Sequence, residues 1–157
     1  MSTEKQVVAL FVDVHNLYHG SLKRYGKRLD YKAFIEHVRK DHGKIQVAYA
    51  YGLADDDSAE NFKSVLRHAG FECRWANTKH NWNVGIAMDV VRQLDKVDLI
   101  ILGSGDPYLA PCAEFVKQDG IKCYAYGFRI SQEMRKAVDR WIEIPKELLI
   151  NETTDPT

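Results

Sequence analysis

Val7-Val8-Ala9-Leu10-Phe11-Val12-Asp13 is six apolar residues in a row closed by an acid. A strand wet on one face alternates apolar and polar residues, so this unbroken run reads as a strand covered on both faces. Working outward, β-like runs fall at 45–52, 71–76, 98–103, 122–127 and 140–143. Helical stretches alternate with them at 17–25, 31–40, 58–69, 84–94, 108–119 and 132–138. Gly70 and Gly120 each stand between a helical pattern and a strand, the usual place for a C-cap. The alternation predicts an α/β fold, a three-layer α/β/α sandwich around a central, mainly parallel sheet of five or six strands. Residues 1–150 read as one domain and 151–157 as a polar tail.

The 157 residues carry 22 bases and 22 acids, which cancel. That excludes a polybasic protein coating phosphate non-specifically, though not a local basic patch. No apolar run approaches the roughly 18–20 residues of a membrane span, and the first residues lack the basic-then-apolar pattern of an export signal. Cys73, Cys112 and Cys123 form no CxxC pair; an odd, scattered set reads as reduced thiols in a cytoplasmic protein.

In parallel sheets the functional crevice lies beyond the carboxyl ends of the strands, where the strand order reverses. Two aspartates fall at such ends: Asp13 after the first strand and Asp106 after the fourth, in Gly103-Ser104-Gly105-Asp106-Pro107-Tyr108. Each also has a capping explanation, Asp106 with proline at the following position. Asp89 is the one ionisable residue in Val84-Gly85-Ile86-Ala87-Met88-Asp89-Val90-Val91. A helix apolar on nearly every side is expected to be buried. An unpaired carboxylate there costs several kcal/mol, on the order of other buried polar groups, so Asp89 must find a cation or a wet cleft. Arg92, three positions on, is the nearby partner for a salt bridge; Gly85 leaves open space on nearly the same face. Three converging carboxylates call for a divalent cation, and Mg²⁺ or Mn²⁺ held by oxygen ligands suits phosphodiester hydrolysis.

These stretches also resemble a known family. Phe11-Val12-Asp13-Val14-His15-Asn16-Leu17-Tyr18 resembles the opening Asp-x-x-Asn motif of the NYN domain, in the LabA-like branch of the PIN-like nucleases. Asn83 to Asp89 resembles its central helix motif, Gly103-Ser104-Gly105-Asp106 its Ser-Gly-Asp motif, and Ser131 to Asp139 before Trp141-Ile142 its closing pattern. The resemblance implies a PIN-like sandwich that binds Mg²⁺ or Mn²⁺ and cleaves RNA. It makes Asp13, Asp89 and Asp106 the catalytic, metal-holding acids, with Asn16, Asn83 and Ser104 as supporting polar groups. Asn83 and Tyr108 stand where the family usually carries two further acids, and Val14 where it commonly has glycine.

Lys23, Arg24, Lys27 and Arg28 cluster beside Tyr25, and Lys79 and Trp82 precede the acidic helix; bases next to aromatic rings suit single-stranded RNA. The same four bases also suit a solvated helix end, and Trp82 a core plug. A dinucleotide loop is excluded because Tyr108 fills the third glycine's place in GxGxxG. The expected function is a metal-dependent ribonuclease. The alternatives are a catalytically degenerate domain that binds RNA or a protein, and a small-nucleotide hydrolase or phosphatase using one metal. Single-stranded RNA is the expected partner, a membrane is not, and association into a homo-oligomer is compatible with either function.

Overall fold

Among the described residues, six strands form one parallel sheet: β1 (Gln6–Asp13), β2 (Gly43–Tyr51), β3 (Glu72–Cys73), β4 (Leu99–Gly103), β5 (Lys122–Gly127) and β6 (Arg140–Glu143). Their order is β3-β2-β1-β4-β5-β6, so the chain reverses direction across the sheet between β1 and β4. The computed structural model describes residues 6–53, 59–74 and 82–150. Residues 58, 75 and 76 of the expected elements, and the expected tail, lie outside them.

Alternate side chains of β1 feed two separate cores. Val8, Leu10 and Val12 pack with Leu17 of α1 (Val14–Tyr25), Phe34 of α2 (Tyr31–His42) and Leu66 of α3 (Glu60–Ala69). Ala9 and Phe11 pack with Ile86 of α4 (Trp82–Gln93), Ala113 of α5 (Ala110–Gln118) and Met134 of α6 (Gln132–Ala137). Three helices thus cover each face, and the expected α/β/α sandwich is the observed one. Each large apolar side chain buried this way contributes roughly 1.5–3 kcal/mol, which is why the central strands carry no polar residue except at their ends.

Three differences from the expected elements have physical causes. Helix α1 starts at Val14 rather than at 17, because the Asp13 carboxylate accepts from the Asn16 N–H (3.1 Å) and caps the helix directly off the strand. The stretch 107–109 is a 3₁₀ turn opened by Pro107, and α5 follows it at Ala110. Helix α4 is not buried all round: Ile86, Asp89, Val90 and Gln93 face inward, while Val84, Met88 and Val91 are 58%, 56% and 50% exposed. It lies in an outer layer, so only one of its faces meets the sheet. Gly70 and Gly120 end their helices with φ of +115° and +85°, the left-handed conformation expected of C-cap glycines.

Candidate functional site

Strands β1 and β4 are hydrogen-bonded neighbours, with Val12 opposite Gly103, so Asp13 and the Ser104-Gly105-Asp106 loop leave the sheet side by side. The two loops are tied together. Asn16 Oδ1 accepts from the Gly105 N–H (3.0 Å), and Ser104 Oγ accepts from the Asp106 N–H (3.1 Å). Gly105 has no room for a side chain, because a Cβ there would overlap the Arg129 carbonyl; its own carbonyl accepts from the Ser131 N–H (3.1 Å). Asp106 Oδ1 accepts from the Tyr108 N–H (2.9 Å), while Oδ2 accepts from Asn83 Nδ2 (3.2 Å). Both aspartates are therefore helix or turn caps and also face one cleft of about 810 Å³, which Asn16, Trp82 and Asn83 help to line.

Burial dominates the electrostatics. Asp13 is 2% exposed, and desolvation pushes its carboxyl up to about 6, with the nearby Asp106 charge adding to the rise. Hydrogen bonds from the Asn16 N–H and the Trp82 side chain oppose it but do not win. The indole N–H is the only donor tryptophan has, so Trp82 pins the acid while its ring packs against the second core. Asn83 Oδ1 is buried in the same cleft with no hydrogen-bond partner. Tyr108, at 82% exposure, stands at the rim. His15, also in the cleft, has its imidazole held below the usual value by partial burial first and by His19 second.

Asp89 does not join the other two acids. It is 6% exposed, and Arg74 grips it with two bonds, Nε to Oδ2 (2.7 Å) and Nη2 to Oδ1 (3.0 Å). The Tyr51 hydroxyl donates a third to Oδ2 (2.7 Å), and Arg92 stands at 3.6 Å. The bidentate pair raises the Arg74 guanidinium pKa, and burial with the Asp89 bond raises that of the Tyr51 phenol. The expected partner Arg92 is thus secondary. Six residues of helix carry Asp89 about 9 Å along the axis and about a third of a turn away from Asn83. It opens instead on a second cavity of about 480 Å³ with Arg74, Trp82 and Gly85. Nothing lies within 4 Å of a Cβ built on Gly85, so the open space expected there is real. Among the described residues, no three His, Cys, Asp or Glu side chains converge to hold a metal ion.

The basic residues divide. Lys23 is exposed in the last turn of α1, and Lys27 and Arg28 are exposed just after it. Arg24 turns the other way, onto Glu143 (3.3 Å) and the Phe128 carbonyl (3.3 Å). There it lines a third cavity of about 560 Å³ that shares Asn16 and Asp106 with the cleft. Arg129 and Arg135 line it too, although neither stands out in the sequence (Arg135 lies within the closing pattern); their position after β5 at the carboxyl edge of the sheet is the signal that finds them. Tyr51 and Arg74 follow from the same rule, at the ends of β2 and β3. Lys79 lies outside the described residues. No helix among the described residues is long and apolar enough to cross a membrane.

A crystal structure of a protein of unknown function from Vibrio parahaemolyticus matches this fold with a TM-score of 0.83 and 29% identity, over 96% of this chain and 100% of that one. No curated protein matches the sequence. The NYN domain matches residues 7–145, nearly the whole described fold and both aspartate loops, and the chain belongs to the NYN domain family.

Proposed function

We propose that the protein is a metal-dependent ribonuclease of the LabA-like branch, acting on single-stranded RNA in the cytoplasm, with Asp13 and Asp106 as its essential acids. The observation that carries this reading is the pairing of those carboxylates with the unpartnered Asn83 Oδ1 in one cleft at the point where the strand order reverses. Two carboxylates and an amide oxygen fit one Mg²⁺ or Mn²⁺, which needs only one or two direct carboxylates and keeps its remaining waters. They do not fit a pair of ions. Bound there, the metal would lower the pKa of a water and offset charge on a phosphoryl oxygen.

The chain's own residues do the rest. Trp82 and the Asn16 N–H hold the Asp13 carboxylate in place, and the raised pKa of that acid marks a site short of positive charge. Asn16 and Ser104 fix the Asp106 loop against α1. Arg24 and Arg129, on the flank beyond Asp106, offer cations to the phosphates next to the scissile one. In this reading Asp89 is an anchor held by Arg74, not a ligand. That same pairing, with the uncharged Asn83, favours the second reading of an RNA-binding domain that does not cut.

A labelled single-stranded RNA decides between them. Cleavage in Mn²⁺ that stops in EDTA and in Asp106→Asn supports the nuclease. Binding with no cleavage in any divalent ion supports the second reading and ends the first.

A further inference from the structure

Four rings run in an unbroken row from the acid cleft along the outside of α1. Trp82, whose indole holds Asp13, lies 5.5 Å from His15, ring centre to ring centre; His15 lies 4.4 Å from His19, and His19 lies 5.4 Å from Tyr18. Positions 15, 18 and 19 share one helix face by their spacing, and all three are exposed. The opposite face of α1, with Val14 and Leu17, is the one buried on the sheet, so these rings do no core packing. The row joins two cavities. Trp82 and His15 line the acid cleft, and Tyr18 lines a cavity of about 960 Å³ together with Leu29, Phe62 and Lys32.

The helix that carries the row brings cations and no acid, although Asp13 stands at one end of the row and Asp30 lines the cavity at the other. No Asp or Glu occurs from Val14 to Arg28, and Lys23 stands one turn beyond His19 on the same face. Exposed rings beside cations suit a polymer with flat apolar bases and a phosphate backbone. A peptide helix offers no such pairing, and double-stranded RNA hides its base faces in the stack.

We infer that His15, His19 and Tyr18 form a stacking track that takes successive nucleobases of single-stranded RNA from the acid cleft to the cavity at Tyr18, with Lys23 neutralising the backbone alongside. The inference rests on the proposed ribonuclease reading and adds the path by which its substrate leaves the cleft. The tilts between rings, 43°, 60° and 82°, make the row a set of separate steps and not a continuous slab. Each step would meet one base.

The test uses EDTA, so that binding is read without cleavage, and two fluorescein-labelled probes: an eight-nucleotide oligoadenylate and an oligomer of the same length with abasic riboses. Base stacking is worth about 1–3 kcal/mol per ring, which corresponds to a loss of affinity of about fivefold to 150-fold on removal. Tyr18→Ala and His19→Ala should each weaken binding of the adenylate by an amount in that range and leave the abasic probe unchanged. Tyr18→Phe and His19→Phe, which keep a ring, should bind the adenylate as the parent does. Equal affinity of the parent for both probes, or alanine variants that bind the adenylate as the parent does, would overturn the track. If those variants still cut RNA in Mn²⁺, the nuclease reading survives its loss. A parent protein that neither binds nor cuts RNA would overturn both.

Discussion

Asn83→Asp replaces an N–H···O bond with a second carboxylate at the same distance. Asn83 Nδ2 lies 3.2 Å from Asp106 Oδ2. Two unit charges at that separation repel by about 5 kcal/mol at an effective dielectric constant of 20. The pair would avoid most of that by keeping one proton, which at pH 7 costs a free aspartate about 4 kcal/mol. The destabilisation at neutral pH is therefore limited to about 4 kcal/mol, a fall in Tm of roughly 8–16 °C for a chain this long. Because the folded pair holds its proton more tightly than the unfolded chain does, most of the penalty is gone near pH 4, at the unfolded pKa of about 3.9. It grows as pH rises and is complete once the folded pair has lost the proton. A divalent ion reverses the sign, since three charged or carbonyl oxygens then face one cation. Thermal melts of parent and variant at pH 4 and pH 7.5, in EDTA and in millimolar Mn²⁺, measure each part of this. The variant should melt lower than the parent only at the higher pH and only in EDTA, and should gain more from Mn²⁺; cleavage in Mn²⁺ should rise with it. A variant that melts with the parent in EDTA at pH 7.5 would refute the geometry. One that gains from Mn²⁺ and still cuts nothing would move the assignment to the non-cleaving reading.

Asp13→Asn removes a carboxylate that burial holds at about 6 against an ordinary 3.8, a difference worth about 3 kcal/mol at neutral pH. The parent's stability falls as pH rises through that window, so the variant should be the more stable of the two above pH 6 and gain nothing at pH 3.5 by urea denaturation, while losing all cleavage; a stability difference independent of pH would sink the argument. Arg74→Met leaves Asp89 buried without its main cation, and should cost about 3–5 kcal/mol, read as a shift in urea midpoint that Arg74→Met with Asp89→Asn partly restores. A loss under about 1 kcal/mol would mean that Arg92 or solvent already carries the charge.

The sheet was legible because its signal is local and repeated. Val7 to Val12 supply side chains to two cores, and only a strand covered on both faces can be apolar at every position. The bounds of β5 and β6, Lys122–Gly127 and Arg140–Glu143, are the expected ones. What misled was α4: its composition reads as wholly buried, yet Val84, Met88 and Val91 face outward. Periodicity separates faces only when they differ in polarity, and a helix apolar on both sides carries no mark of which side the sheet takes.

The site divides along the same line between local and distant. Asp13 and Asp106 were findable because the rule concerns positions just past strand ends, and strand ends are read from nearby residues. Their capping bonds and their place in the cleft are not rival explanations. A cap holds a carboxylate at the start of a helix, next to positive peptide dipoles, and at the reversal point of a parallel sheet that start is also the wall of the crevice. Asp89 shows the reverse. Its burial was legible from the apolar residues around it, and so was its need for a cation. Which cation it finds depends on the chain's return through β3, which brings Arg74 across from fifteen residues away while Arg92 is kept at the exposed edge. The charge that a metal would otherwise supply to Asp89 is already supplied by a guanidinium in a rigid, two-bonded fork. A carboxylate so satisfied has little left to offer an ion in the neighbouring cleft, and the cleft's chemistry rests on the two aspartates that cap the elements beside it.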